Sequence, residues 1–290
     1  MKKTITIILV LAFFSFAFKS DKPAYMLYNQ RGKHIKYEKM MKALVEADIV
    51  FFGELHTDPI SHWLQIEMTK DLFAAKGDQL VLGAEMFESD NQLILDEYLQ
   101  GAFAEKKFKA DIRLWGNYNT DYRPLVEFAK ENELDFIATN IPRRYASVVH
   151  KKGFEGLDEL SDEARQYIGP DLAALYDPSV PSYDAMLHME GMPAHVTANF
   201  PKAQAAKDAT MAHFILENWN EGQLFFHYNG AYHSNDFEGI VWWINKLKPG
   251  LNIQTVAVTQ QAQLDSLEAV NKDVANFVVV IPDNMTMTNR

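Results

Sequence analysis

The chain has 290 residues, 48% of them hydrophobic and 23% charged, with a formal net charge of −11 and no cysteine. That length and apolar fraction exclude a disordered chain and allow a sizeable buried core. The missing cysteines exclude disulfides, thiolate zinc sites, iron–sulfur clusters and a cysteine nucleophile, and the acidic balance argues against a nucleic-acid partner, which needs a basic face.

Lys2 and Lys3 precede an apolar run from Ile5 to Phe18. A charged region followed by a short hydrophobic one is the pattern of a secretory signal, and the run is shorter than the roughly 20 residues of a spanning helix. Ser15 and Ala17 place small residues correctly for cleavage after Ala17, and a cut near Ser20 is the second option. An uncleaved membrane anchor is the alternative for the whole segment. Residues 1–20 are expected to be a signal peptide and residues 21–290 a single α/β domain. Residues 1–20 carry three Lys and no acid, so their removal takes the charge from −11 to −14. The expected location is periplasmic or extracellular, with no lipid anchor through cysteine.

The spacing of Tyr37, Met40, Met41, Leu44 and Val45 predicts a helix within Ile35 to Ala47. Ile49 to Phe52 reads as a buried strand ended by Gly53. Asp58 and Pro59 read as N-cap and first helical residue, with Ile60, Trp63, Leu64 and Met68 expected inward. Leu80 to Ala84 is a second strand ending at Glu85, and Asp90 is expected to cap a helix through Tyr98. Tyr122 to Asn132 reads as a helix and Asp135 to Thr139 as a third strand. Residues from about 141 to 203 hold six prolines and short helical patterns, read as a helical insertion beside the sheet. A long helix is expected over Ala203 to Trp219. Leu224 to Tyr228, Ile253 to Val258 and Phe277 to Ile281 supply three more strands. The tail after Asn284 is expected to fray. The alternation predicts an α/β fold: a largely parallel central sheet flanked by helices, with a helical insertion.

Gly53-Glu54-Leu55-His56 and Gly230-Ala231-Tyr232-His233 share the pattern Gly-x-x-His, each directly after an apolar strand. In a parallel sheet the strand C-termini share one edge, where ligand sites form. Two histidines 177 residues apart are therefore expected to meet there, with the glycines allowing the chain to turn. Glu85 ends a third strand. Two imidazoles with Glu54 or Glu85 suit a divalent metal with nitrogen and oxygen ligands at His56 and His233. A carboxylate beside that metal could act on water as a base. The structural alternative is a pair of capping histidines. His62 either faces the same cleft or is an exposed helix histidine.

Met186 to His195 packs three Met and two His, His188 and His195, into ten residues. Thioethers and imidazoles can hold haem iron or copper, and Met also lines large apolar ligands. A packed helix end is the structural alternative. Tyr145 follows Arg143 and Arg144. A tyrosinate can ligate ferric haem iron and arginines can pair with haem propionates; an ordinary surface helix is the alternative. Lys207 and Asp208 read as a solvated helix face.

GELHTDPISHW (53–63), GAEMFESDNQ (83–92), ATNIPRR (138–144), QAAKDATMAHFI (204–215) and GAYHSNDFEGI (230–240) occur in this order. This series resembles the ChaN-like haem-binding uptake family, itself similar to the wider Tiki, TraB and erythromycin-esterase-like group. The match runs from about Ile49 to Ile244. The resemblance implies an α/β fold and an exported, iron-regulated haem-binding protein, often with haem held cofacially in a dimer. A haem-bridged homodimer and an outer-membrane haem receptor are therefore the expected partners. In the wider group the paired motifs and a glutamate form the candidate catalytic or metal site, which here means Gly53, His56, Gly230, His233, Glu54 and Glu85. For haem the resemblance implies a tyrosine ligand, placed at Tyr145, with His or Arg support. Relatives are often lipoproteins, and this chain lacks the cysteine that a lipid anchor requires.

Two functions remain open from the sequence. One is haem binding in iron or haem acquisition. The other is a metal-dependent hydrolase of peptides or esters, with His56 and His233 on the metal and Glu54 or Glu85 polarising water.

Overall fold

The computed structural model describes residues 22–188 and 198–288. The expected signal segment 1–20 and, within the Met186–His195 run, Met189 to His195 lie outside the described residues.

Seven strands form one sheet in the spatial order β1-β7-β6-β2-β5-β3-β4. They are β1 (Met26–Asn29), β2 (Ile49–Glu54), β3 (Leu80–Glu88), β4 (Phe136–Asn140), β5 (Leu224–Gly230), β6 (Ile253–Gln261) and β7 (Phe277–Pro282). All neighbours run parallel except β1, which pairs antiparallel with β7. The sequence reading missed β1, whose four residues are too few to show a period.

The helices are α1 (Tyr37–Val45), α2 (Pro59–Lys76), α3 (Gln92–Leu99), α4 (Glu105–Asp111), α5 (Arg123–Glu131), α6 (Arg143–Lys152), α7 (Asp162–Arg165), α8 (Leu172–Leu175), α9 (Pro181–Ala185), α10 (Asn199–Glu217) and α11 (Ile240–Leu247). Strand side chains alternate between faces, and the two faces build two cores. Val50, Phe52, Leu82 and Phe226 pack under α1 to α5. Ile49, Phe51, Val81 and Phe225 pack under α6, α10 and α11. The central strands are apolar on both faces because helices cover both. Residues 141–203 supply α6 and the short helices α7, α8 and α9 on the second face.

Asp58 caps α2 as its type predicts, accepting from Ser61 N at 2.6 Å. Three expectations differ. Trp63 is 47% exposed, not inward; its ring tilts against Tyr25 at 5.9 Å. Asp90 does not cap α3 but pairs with Arg113 and Arg144. The tail does not fray through Thr288: its N–H donates to Thr57 O at 2.7 Å and its hydroxyl to Asp121 Oδ2 at 2.9 Å.

Candidate functional site

β5 lies between β2 and β3, so their C-terminal ends stand side by side. Glu54 is in register with Gly230, and Ala84 with Tyr228. The sheet therefore brings Glu54, Gly230 and Glu85 together, and the residues after each strand follow. The glycines do not provide unusual backbone angles; neither has a positive φ. They provide close approach. A Cβ on Gly53 would sit 3.0 Å from Ala231 Cα, and one on Gly230 would sit 2.6 Å from both Cε1 and Nε2 of His56.

Glu54 is 1% exposed and fully engaged. Oε1 accepts from Tyr122 Oη at 2.6 Å and lies 2.9 Å from His56 Nδ1. Oε2 accepts from Gln65 Nε2. Burial, followed by the Glu54 charge, pushes the Tyr122 phenol well above its usual range, so it stays a donor. His56 leans edge-on to Trp115 at 5.0 Å. With Nδ1 turned to Glu54, Nε2 is the nitrogen on the Gly230 side, and the side chain keeps 29% exposure. His62 is buried beneath it, not exposed. Its Nε2 lies 3.2 Å from His56 O and 3.4 Å from Asp121 Oδ2.

A second group stands beside the first. Glu85 Oε2 accepts from Gly230 N at 2.7 Å, and Oε1 lies 3.2 Å from His233 Nε2. His233 Nδ1 bonds to Asp208 Oδ1. Asp208 Oδ2 accepts from Tyr183 Oη at 2.8 Å, and the Tyr183 hydroxyl oxygen in turn accepts from Trp243 Nε1 at 2.9 Å. Burial opposes charge on His233, but the carboxylates on its two sides outweigh it, and its pKa is pushed up to about 10. Burial likewise opposes charge on Glu85; His233, His56 and the Gly230 amide reverse that and hold it well below the usual carboxylate range. Asp208, expected on a solvated face, is 1% exposed. The signal was in the helical period: Ala205, Met211 and Ala212, three or four residues away, are all fully buried.

His227, inside β5, is a further histidine that sequence reasoning gave no role. Burial pushes it down to about 4, and it lies 2.8 Å from Thr139 Oγ1 and 3.1 Å from Asn229 Oδ1.

Above the strand ends opens a cleft of about 740 Å³. Glu54, His56, Glu85 and His233 lie on it, with Leu55, Trp115, Ile141, Tyr232 and Met287 as its less polar wall. The other sequence candidates divide. Arg143 lines the cleft. Arg144 instead pairs with Asp90 at 2.5 Å and stacks over the Tyr145 ring at 4.3 Å. Tyr145 is 9% exposed, and its hydroxyl accepts from Arg144 Nη2 at 3.1 Å. Both belong to a separate recess with Asp90 and Tyr167. His188 is exposed, 3.6 Å from Asp184, and His195 lies outside the described residues. The alternative haem-contacting residues thus occupy at least three places.

A metal held by His56 and His233 finds no support in the side-chain arrangement. Both ring nitrogens of His233 face carboxylates, and among the described residues no group of three or more His, Asp and Glu is arranged to hold a metal ion. The arrangement offers instead one imidazole backed by a carboxylate and one imidazole held between two.

A family model for haem-binding uptake, Tiki superfamily, ChaN, matches residues 40–244. Among solved structures, ChaN of Campylobacter jejuni, in a structure of cofacial haem binding, superposes with a TM-score of 0.64. The identity is 16%, over 89% of this chain and 96% of that one, so the likeness is one of fold. RRSP, a MARTX toxin effector domain from Vibrio vulnificus CMCP6, gives a TM-score of 0.44 at 15% identity, over 87% of this chain and 39% of that one. Protein RETICULATA-RELATED 5, chloroplastic, from Arabidopsis thaliana is 26% identical over 139 residues, which are 46% of this chain. The match spans only 19% of that relative's length.

Proposed function

The chain belongs to the haem-binding uptake family of the Tiki superfamily, ChaN, and on that premise we propose that it binds haem at the cleft and serves iron or haem acquisition outside the cytoplasm. The observation that carries the choice of site is His56. Its Nδ1 is fixed on Glu54, and its partly exposed side chain lines a cleft of about 740 Å³. A carboxylate behind an imidazole orients the ring and raises its basicity as a ligand. Trp115, Ile141 and Met287 supply apolar surface for a porphyrin face. His56 would hold the iron, in place of the Tyr145 that family resemblance suggests, because the Tyr145 hydroxyl is tied to Arg144 away from the cleft. Hemin titration of the purified chain is expected to give a saturable Soret shift that His56→Ala weakens at least tenfold. No shift at micromolar protein would sink the proposal. An unweakened shift in His56→Ala, lost in Tyr145→Phe, would move the site to the Arg144 recess.

Export rests on Lys2, Lys3 and the apolar run to Phe18. The mass of the protein recovered outside the cytoplasm, shortened by about 17 to 20 residues, tests it. A haem-bridged dimer would show as a doubling of mass on hemin addition.

A second reading is favoured by the same His56–Glu54 pair, which is also the arrangement of a general base. It makes the cleft a hydrolase of esters or peptides that does not depend on a metal at His56 and His233. Turnover of chromogenic esters or peptides that survives chelation and disappears in His56→Ala supports it; absence of turnover across such a panel removes it.

A further inference from the structure

The carboxylates of the cleft all have partners. Glu54 is held by Tyr122, Gln65 and His56. Glu85 is held by His233 and the Gly230 amide, and Glu88 by Arg113 at 2.9 Å. Two cations on the same walls have none. Arg143 and Lys207 both line the cleft and make no ion pair or hydrogen bond among the described residues. Arg144, the next residue along α6, is by contrast neutralised by Asp90. The absence of a partner distinguishes Arg143 from its neighbour on the same helix.

The two cations come from neighbouring elements. Arg143 is in the first turn of α6 and Lys207 is on α10, and these helices pack against each other. The first turn of α6 contains no acidic residue, so the positive end of its dipole adds to the same potential. In a chain of net charge −11, two cations without carboxylate partners on one cleft wall are a local source of positive potential. Such a field concentrates anions, and walls of low dielectric strengthen it. Arg offers a planar fork suited to carboxylate or phosphate, and Lys a compact point charge.

We propose that Arg143 and Lys207 form an anion-binding seat in the cleft, for a ligand that carries carboxylate or phosphate groups. The inference deepens the haem reading and rests on the cleft being the ligand site. The propionates of haem are one source of such groups, and a free small polyanion is the other.

Hydrogen bonds from charged groups are worth enough that losing both the exposed Arg143 and the half-buried Lys207 is expected to cost roughly tenfold in affinity. The test compares hemin with hemin dimethyl ester, which keeps the porphyrin and iron but has no propionate charge. Wild type is expected to prefer hemin by about tenfold or more, and raised salt should erode that preference. Arg143→Gln with Lys207→Gln should remove the preference while leaving binding of the diester unchanged. A double variant that still prefers hemin overturns the proposal. Inorganic tripolyphosphate, followed by calorimetry, separates the sources. If wild type takes neither porphyrin but binds tripolyphosphate, and the double variant does not, the haem reading fails and the anion seat stands. If wild type binds neither hemin nor tripolyphosphate, both fall. Circular dichroism melts of the double variant confirm that the fold is intact.

Discussion

Gly230 lies directly under the ring of His56: a Cβ at that position would fall 2.6 Å from Nε2. The parallel register of β2 and β5, which pairs Glu54 with Gly230, puts the two within reach although they are far apart in sequence. The second Gly-x-x-His motif therefore serves the histidine of the first.

Gly230→Ala follows from that contact. Gly230 has φ −59° and ψ 140°, which alanine adopts freely, so the backbone is not strained. The ring of His56 must give way, and its bond to Glu54 goes with it. The expected result is a stability loss of about 1–3 kcal/mol, because buried Glu54 loses the His56 partner, together with hemin affinity reduced about as much as in His56→Ala. Equal hemin binding by wild type and Gly230→Ala would show that the position of the His56 ring does not matter.

Tyr122→Phe tests the support of Glu54. The phenol donates to Glu54 Oε1 at 2.6 Å from a buried position. Its removal leaves a buried carboxylate with one donor fewer. We expect a loss of about 1–3 kcal/mol in denaturant unfolding, read as a shift in midpoint without a change in slope. A variant as stable as wild type would mean that Gln65 and His56 already satisfy the carboxylate.

The pairing of the strand ends was legible because it needs only local signals. An apolar strand followed by Gly-x-x-His, twice, in an alternating α/β chain, forces both histidines to one edge. The groups that complete each histidine were less legible. Tyr122, Gln65 and Asp121 sit on helices or turns whose sequences show only ordinary polar positions, and their partners are fixed by tertiary packing. Asp208 was the exception: an aspartate on a stripe of alanines and Met211 was already misplaced for a solvated face. Tyr145 and Arg144 were the less legible case. Their residue types suited haem, but Asp90, 54 residues earlier in the chain, draws Arg144 and with it the Tyr145 hydroxyl away from the cleft.

Asp208→Asn probes the pair that holds His233. The folded pKa of His233 is raised from 6.5 to about 10. Its contribution is therefore fully present below pH 6.5 and is lost as pH rises toward 10. Removing the Asp208 charge should cost about 3 kcal/mol at pH 6, the usual cost of breaking a buried ion pair. The difference from wild type should narrow between pH 7 and 10. Thermal melts across that range check it, and a difference that stays constant with pH would mean that His233 is neutral in the folded chain.

His227 predicts the opposite dependence from the same sheet. Burial against Phe51 and Phe225 lowers its pKa from 6.5 to about 4, so the folded chain keeps it neutral. A depressed value contributes stability that is present above pH 6.5 and lost as pH falls toward 4. His227→Gln keeps polar atoms near Thr139 and Asn229 but cannot take up a proton. At pH 7.5 the variant should be less stable by about 1–3 kcal/mol, through imperfect replacement of buried hydrogen bonds. As pH falls from 6.5 to 4.5 wild type should lose stability faster than the variant, and the two curves should converge. Asp208→Asn converges with wild type on the alkaline side and His227→Gln on the acid side, so urea unfolding of the three proteins at pH 4.5, 6.5 and 9.5 separates the two histidines in one experiment. Divergence of His227→Gln from wild type on acidification would show that the folded chain accommodates a charged His227.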